Sequence, residues 1–116
     1  MKTICKIEYT GLIPSVNQSY GISRNGRIYL KRPVKDFKRA LGYLCLSQKP
    51  KMSSKRIRIN IEVSFMVKLR DIDNVIKASI DGLKGIVFVD DSQVDYISVK
   101  RLPDKENYLM ITVKEV

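Results

Sequence analysis

Apolar and polar residues alternate along four stretches of the chain, which is the pattern of strands with one buried face. Residues 2 to 10 alternate and predict a first strand that ends before Gly11. The run "RIRINIEVSFMVK", residues 56 to 68, alternates Ile and Val with Arg, Asn and Glu, and predicts a long half-buried strand. Two later runs, "DYISVKR" and "NYLMITVKEV", are separated by a turn at "PDKEN" and predict a hairpin near the C-terminus.

Two other segments repeat apolar residues at intervals of three and four, which is typical of amphipathic helices. The apolar positions are Val34, Phe37, Leu41 and Leu44 in the first segment, and Ile76, Ile80 and Leu83 in the second. The first helix is predicted from Pro33 onward, with basic residues on its outer face. The second is predicted over residues 74 to 84, with Gly85 supplying the stop.

Two short elements complete the predicted fold. "ISRNGRIYL" places an Asn25-Gly26 turn between β-prone flanks and predicts a hairpin with a basic tip. "GIVFV", residues 85 to 89, is continuously apolar and is interpreted as a buried strand. With 116 residues and no repeat or linker, the chain is expected to form a single α+β domain, residues 1–116, with a mixed sheet and two main helices.

The charge of the chain points to a polyanionic partner. Its 22 Lys and Arg outnumber its 12 Asp and Glu, for a net charge of +10. On so small a surface this charge attracts nucleic acid, and an anionic membrane is a weaker candidate because no single apolar-faced helix carries the cations. No apolar run is long enough to span a bilayer and the N-terminus lacks a signal-peptide core, so a soluble, cytoplasmic protein is expected.

Against this basic background, five aspartates gather between positions 71 and 91: Asp71, Asp73, Asp81, Asp90 and Asp91. Residues 71 and 73 are two apart at a predicted strand-to-helix junction, where extended chain points both carboxylates to one side. Asp90 and Asp91 follow "GIVFV", and only one of these neighbours needs to be a primary ligand. Three carboxylates without histidine form a hard oxygen site that suits Mg²⁺ or Mn²⁺, whereas a chain with no His and two distant Cys residues nearly excludes zinc.

In phosphodiester hydrolysis such a metal lowers the pKa of the attacking water and neutralises charge on the scissile phosphate. Lys77 lies one helical turn after Asp73 and could stabilise the developing negative charge. Structural alternatives stay open: Asp71 or Asp73 could cap the second helix, Asp73, Lys77 and Asp81 could form a solvated ion-pair row, and "DDSQ" could be a turn.

The run "RDIDNVIKASIDGLKGIVFVDDSQV" resembles the RusA family of Holliday junction resolvases, whose signature is Asp-x-Asp-Asn opening a helix, a Lys four residues on, and a Val-Asp-Asp-Ser-Gln element. "LIPSVN" is similar to the N-terminal loop of that family, although Ile13 stands in place of a first proline. The resemblance implies a homodimeric, Mg²⁺-dependent endonuclease that cuts four-way DNA junctions by paired nicks in recombination and repair. It also implies that Asp71, Asp73 and Asp91 are the catalytic carboxylates and metal ligands, with Lys77 as their partner and Asp90 as a supporting residue.

Charge and loop placement predict the DNA contacts. They are Arg24, Arg27, Lys31, Arg32, Lys35, Lys38, Arg39, Lys51, Lys55 and Arg56. A second hypothesis from a different class is a non-catalytic nucleic-acid-binding module, which the net charge and the basic helix face would serve equally well.

Overall fold

The computed structural model describes residues 1–14, 20–30, 32–66, 72–103 and 105–116, with the backbone alone at residues 20, 21, 29, 30, 73 and 74. The strands are β1 Lys2–Thr10, β2 Tyr20–Ile22, β3 Ile28–Leu30, β4 Ile57–Ser64, β5 Val94–Arg101 and β6 Tyr108–Glu115. The helices are α1 Arg32–Ser47 and α2 Asp73–Leu83, and a short 3₁₀ helix covers Asp91–Gln93.

Four of the strands form a mixed sheet in the order β1-β6-β4-β5. β6 lies antiparallel to both β1 and β4, while β5 lies parallel to β4. The alternation of β4 is confirmed, because Ile57, Ile59, Ile61 and Val63 are all buried on one face. That face packs with α1 and α2 in one hydrophobic core, so the predicted α+β class with two main helices is confirmed.

The predicted basic hairpin is also confirmed, as β2 paired with β3. Its loop is closed by Ser23, which donates its N–H to Arg27 O at 2.9 Å, and by Gly26, which donates to Ser23 O at 2.9 Å. Gly26 takes a φ of 77°, in the left-handed region that favours glycine. Arg24 and Arg27 are exposed at this tip.

The predicted C-terminal hairpin is wrong, because β5 and β6 lie on opposite sides of β4 and do not pair. The connection between them passes the end of β4, where Leu102 donates its N–H to Val63 O at 2.8 Å and Ser64 Oγ donates to Pro103 O at 2.9 Å. The alternate residues of β4 that face the core are all buried, and β4 lies inside the sheet, paired with β6 on one side and β5 on the other. β5 is mostly exposed and suits an edge.

The predicted strand at residues 85 to 89 is also wrong, because this segment forms turns after α2. Gly85, with a φ of 84°, donates its N–H to Phe88 O at 2.7 Å, and Val87 N–H reaches Leu83 O at 2.9 Å. Phe88 makes only isolated bridges, to Ser53 and Lys84. Val87 and Phe88 are nevertheless fully buried, so the apolar run enters the core without joining the sheet. A short apolar run by itself does not distinguish these two outcomes.

Glycine allows α1 and α2 to approach closely. A Cβ added at Gly82 of α2 would lie 3.2 Å from Leu41 Cδ1, 3.3 Å from Leu41 Cβ and 3.6 Å from the Lys38 Cα of α1. The helices therefore pack at a separation that only glycine permits without displacement. This packing holds α2, which carries Asp73 and Lys77, against the core.

Candidate functional site

Residues 90 to 93, here called the acidic turn, connect the buried Phe88 segment to β5. Asp90 is the N-cap of the 3₁₀ helix, and one of its carboxylate oxygens accepts the N–H of Ser92 at 3.2 Å. Gln93 completes a capping box by accepting the N–H of Asp90 on its side-chain oxygen at 2.8 Å. The alternative that "DDSQ" forms a turn is confirmed, and the role of these residues in a site stays a prediction.

Gln93 fastens the acidic turn to the loop that precedes β4. Its Oε1 also accepts the N–H of Val89 at 2.8 Å, and its Nε2 donates to Ser53 O at 2.8 Å and to Lys55 O at 2.7 Å. The side chain is buried, and all four of these bonds go to backbone groups. Since a buried amide with satisfied bonds has little freedom, the acidic turn and residues 53 to 55 are held in a fixed relation.

Asp90 has a second partner in Lys84, whose Nζ lies 3.1 Å from Asp90 Oδ1. Hydrogen bonding from Ser92, and then from Lys84, holds the pKa of the Asp90 carboxyl well below its usual range. The Lys84 pKa is raised in turn, chiefly by Asp90. The Asp90 carboxylate is thus bound within the turn. The carboxylate of the next residue, Asp91, takes no part in these hydrogen bonds.

Asp91 is exposed and has no hydrogen bond or ion pair through its carboxylate within the described part of the chain. It borders an open cavity of about 480 Å³ between α2 and the start of β5. The cavity is lined by Ile80, Asp91, Ser92, Val94, Asp95, Tyr96 and Ile97. A second ion pair supports this wall, because Arg56 binds the Asp95 carboxylate and donates from Nη1 to Ser92 O at 2.9 Å.

α2 contributes one residue, Ile80, to the lining of this cavity. Lys77 is exposed one turn earlier on the helix, about 5 Å along the axis from Ile80. Asp73 is the first residue of α2, and the N-cap position belongs to Ile72, which makes no side-chain capping bond. The capping alternative depends on Asp71 and on the side chain of Asp73, which lie outside the described residues.

Asp71 and the side chain of Asp73 lie outside the described residues, so their distance from Asp91 stays a prediction. Among the side chains that the structure does describe, no three acidic, Cys or His residues form a metal-binding cluster. Asp81, the last member of the suggested ion-pair row, pairs with Lys38 of α1 at 3.4 Å, and the side chain of Asp73, its first member, lies outside the described residues. That contact joins the two helices.

The predicted DNA-contacting residues fall into three groups. Arg24 and Arg27 lie in the hairpin loop; Arg32, Lys35, Lys38 and Arg39 lie on α1; Lys51, Lys55 and Arg56 lie in the loop before β4; Lys31 lies outside the described residues. All of the described members are exposed except Lys38, whose side chain is 23% exposed beside Asp81. Arg56 is exposed but engaged with Asp95.

Sequence reasoning missed two residues that build the site, Gln93 and Lys84. For Gln93 a signal was present, because Asp90 and Gln93 have the spacing of a capping box. For Lys84 no local signal exists, since its pairing with Asp90 depends on the tight turn after α2.

No helix in the described part of the chain is long and apolar enough to cross a membrane. The chain matches the family model described as Endodeoxyribonuclease RusA over residues 11–114. No curated protein sequence matches it significantly.

Proposed function

The chain belongs to the RusA endodeoxyribonuclease family, and from that membership we propose that it resolves four-way DNA junctions by paired, metal-dependent phosphodiester hydrolysis. The nuclease class comes with the family. The junction substrate, the Mg²⁺ dependence and a role in recombination and repair are the proposed refinements.

The observation that carries the proposal is the different state of two neighbouring carboxylates. Asp90 is bonded to Ser92 and Lys84, while Asp91 is exposed at a cavity that α2 also lines through Ile80. A carboxylate that has no hydrogen bond or ion pair within the described part of the chain repels the phosphates of DNA unless a cation compensates its charge. Asp91 therefore has the properties of a metal ligand, and Asp90 those of its support.

The donor chemistry fits a hard divalent cation. Asp91 offers carboxylate oxygen, the chain has no histidine, and Asp71 and Asp73 add oxygen donors before and at the start of α2. Mg²⁺, or Mn²⁺ in its place, would be held by Asp71, Asp73 and Asp91. When bound, such an ion supplies a water of lowered pKa and neutralises charge on the phosphate.

The residues of the chain have separate tasks in this reaction. The oxygen of water bonds to the scissile phosphorus as that water gives a proton to solvent, and the phosphorus–oxygen bond to the leaving strand end breaks as that oxygen takes a proton from solvent. Lys77 projects from α2 one turn after Asp73 and stabilises the negative charge that develops on the phosphate oxygens. The Arg56 and Lys84 ion pairs keep Asp91 in place while the backbone of the DNA lies against it.

A homodimer accounts for two nicks. A four-way junction has two equivalent strands related by a two-fold axis, and a symmetric dimer presents two equivalent sites to them. The proposed active species is thus a dimer with one carboxylate set in each protomer.

An end-labelled four-way junction and a linear duplex of the same sequence test the proposal, each incubated with Mg²⁺ and with chelator. Paired nicks are expected in the junction alone and only with metal. Asp91→Asn should abolish cutting while leaving junction binding equal or tighter, because it removes a negative charge that faces DNA. Glu106→Gln is the control, since it neutralises an exposed carboxylate that does not line the cavity.

Two results would contradict the proposal. Cutting that persists in chelator would exclude the metal mechanism. Tight junction binding without any cut, at every Mg²⁺ or Mn²⁺ concentration, would instead support the non-catalytic binding module.

A further inference from the structure

A second cavity lies on the other side of the loop that Gln93 binds. It has a volume of about 390 Å³ and opens between the start of β1, the end of α1 and the loop before β4. Four lysines line it, Lys2, Lys49, Lys51 and Lys55, and they define what is called here the lysine pocket. Its one carboxylate, Glu115, is already engaged by Lys55 at 3.8 Å and by Ser53 Oγ at 3.3 Å.

The lysines of this pocket come from two segments of the chain, the start of β1 and the loop between α1 and β4, and three of them have no ion pair in the described structure. Lys2 begins β1, Lys49 and Lys51 follow α1, and Lys55 precedes β4. Lys2, Lys49 and Lys51 are all exposed. Bringing like charges together is unfavourable unless an anion occupies the space between them. The hydroxyl of Ser54 borders the same cavity and adds a hydrogen-bond donor suited to a phosphate oxygen.

Lys49 is independent support for a functional role. Its φ is 50°, the left-handed conformation that ends a helix and favours glycine. Among the described residues it is the one that adopts such a φ without being glycine. Lys49 therefore occupies a position where glycine would adopt the same backbone conformation at a lower cost in free energy.

The pocket and the acidic turn share a wall. Residues 53 to 55 line the lysine pocket. The backbone of Ser53 is also bonded to residues 85 to 89, which precede the acidic turn: Ser53 N–H donates to Val87 O at 2.9 Å, and Val89 N–H donates to Ser53 O at 3.2 Å. Gln93 adds its bonds to Ser53 O and Lys55 O. Any anion held in the pocket consequently sits at a set position relative to Asp91.

We propose that the lysine pocket is a subsite for the phosphodiester backbone of the DNA, placed outside the cleavage site and holding the strand in register with Asp91. This inference rests on the proposed function. Its ligand is the phosphate of a nucleic-acid chain, and the base sequence has no part in it.

The test uses the double variant Lys49→Gly with Lys51→Gln, which removes two cations and places glycine where the backbone favours it. Junction binding is measured in chelator over a series of KCl concentrations. The plot of log K against log salt is expected to become less steep, and the magnitude of its negative slope should decrease by about 1.8, since each lost phosphate contact removes about 0.9. Cleavage in Mg²⁺ should show a raised KM with kcat unchanged, while the melting temperature stays equal to or above that of the parent.

The matched control is Lys6→Gln with Lys100→Gln, which removes the same charge from exposed residues outside the pocket. It should leave the slope and KM close to those of the parent. Equal effects of the two double variants would mean that net charge alone matters, and would overturn the subsite.

The remaining outcomes separate the two proposals. A parent protein that binds and cuts junctions, with a pocket variant of unchanged slope, would refute the subsite alone. A parent that neither binds nor cuts junctions would refute the proposed function. Titration of inorganic phosphate by calorimetry at constant ionic strength distinguishes a site for free phosphate from a site for the DNA backbone. If the parent shows a heat of phosphate binding that the pocket variant loses, while DNA binding of the two proteins is equal, the assignment to the DNA backbone is overturned.

Discussion

Adjacent aspartates at the acidic turn have different surroundings, because one is hydrogen-bonded within the turn and the other is exposed. The Asp90 carboxylate points into the turn and accepts from Ser92, whereas Asp91 begins the 3₁₀ helix and is exposed. The identical side chains of "DD" do not distinguish these roles. Backbone geometry does, because an N-cap residue is extended and directs its carboxylate back onto the following N–H groups.

Asp90 should make the stability of the protein sensitive to acid. Its pKa is lowered in the folded state, so its contribution to stability is complete above its unfolded value of 3.8 and is lost as pH falls toward the folded value. Asp90→Asn is expected to lower the urea midpoint at pH 7 and to reduce the further loss of stability below about pH 4. Urea unfolding of both proteins across that range provides the measurement.

Asp91→Asn serves as the control for this titration, because its exposed carboxylate lacks those bonds. Its urea midpoint should follow the parent at neutral pH. Parallel pH curves for the parent and Asp90→Asn would contradict the role given to Asp90.

At the scale of elements, the contact between α1 and α2 positions the helix that carries Asp73 and Lys77. Each helix carries a glycine at an interface, Gly42 in α1 and Gly82 in α2, but their surroundings differ. A Cβ at Gly82 would meet Leu41 at its Cβ and approach the α1 backbone, whereas one at Gly42 would meet only the terminal Cδ1 of Ile86.

These surroundings predict opposite effects of the same substitution. Alanine improves helix propensity by about 1 kcal/mol at either position. At Gly82 that gain is exceeded by overpacking, so Gly82→Ala should be destabilising by about 1–2 kcal/mol. At Gly42 the end of the Ile86 side chain can move, and Gly42→Ala should be neutral or stabilising by up to about 1 kcal/mol. Urea unfolding of both variants checks this, and equal shifts would contradict the close approach at Gly82.

At the scale of the whole molecule, charge is arranged as separate basic regions around a small acidic site. The net charge is +10, and the exposed cations of α1 lie on a different element from the lysine pocket. Asp81 pairs with Lys38 between the helices, whereas the pair of Arg32 with Asp36 at 3.8 Å is exposed and can be replaced by a phosphate, so the cations of α1 available to DNA are Arg32, Lys35 and Arg39. Phosphate contacts by such residues make affinity fall steeply with salt.

The triple variant Arg32→Gln, Lys35→Gln, Arg39→Gln should therefore bind junctions with a weaker salt dependence. The magnitude of the negative slope of log K against log salt should decrease by up to about 2.7. Its binding is measured in chelator over the same KCl series. Lys6→Gln, Lys100→Gln, Lys105→Gln removes three exposed cations elsewhere and provides the comparison. An unchanged slope for the α1 variant would remove that helix from the interface.

Periodicity determined most of the elements by itself, because a side chain's face follows directly from its spacing. The predicted bounds of β1 and α2, and the predicted starts of β4 and α1, agree with the structure to within about two residues. The predicted strand of residues 56 to 68 is too long, because β4 ends at Ser64. Composition and residue type likewise determined the basic character and the all-oxygen donor set. The ordered pattern of Asp, Lys and Gln was sufficient to predict the family, which the match over residues 11–114 confirms.

Only the tertiary structure decided which strands are neighbours and which aspartate is committed to the fold. Spacing along the chain does not reveal that β4 separates β5 from β6, since pairing depends on which edges the core leaves available. Nor does it reveal the four backbone bonds of Gln93 or the pairing of Lys84 with Asp90, because these contacts join segments through turns of particular shape. Local periodicity sets the elements, and long-range burial and hydrogen bonding set their arrangement.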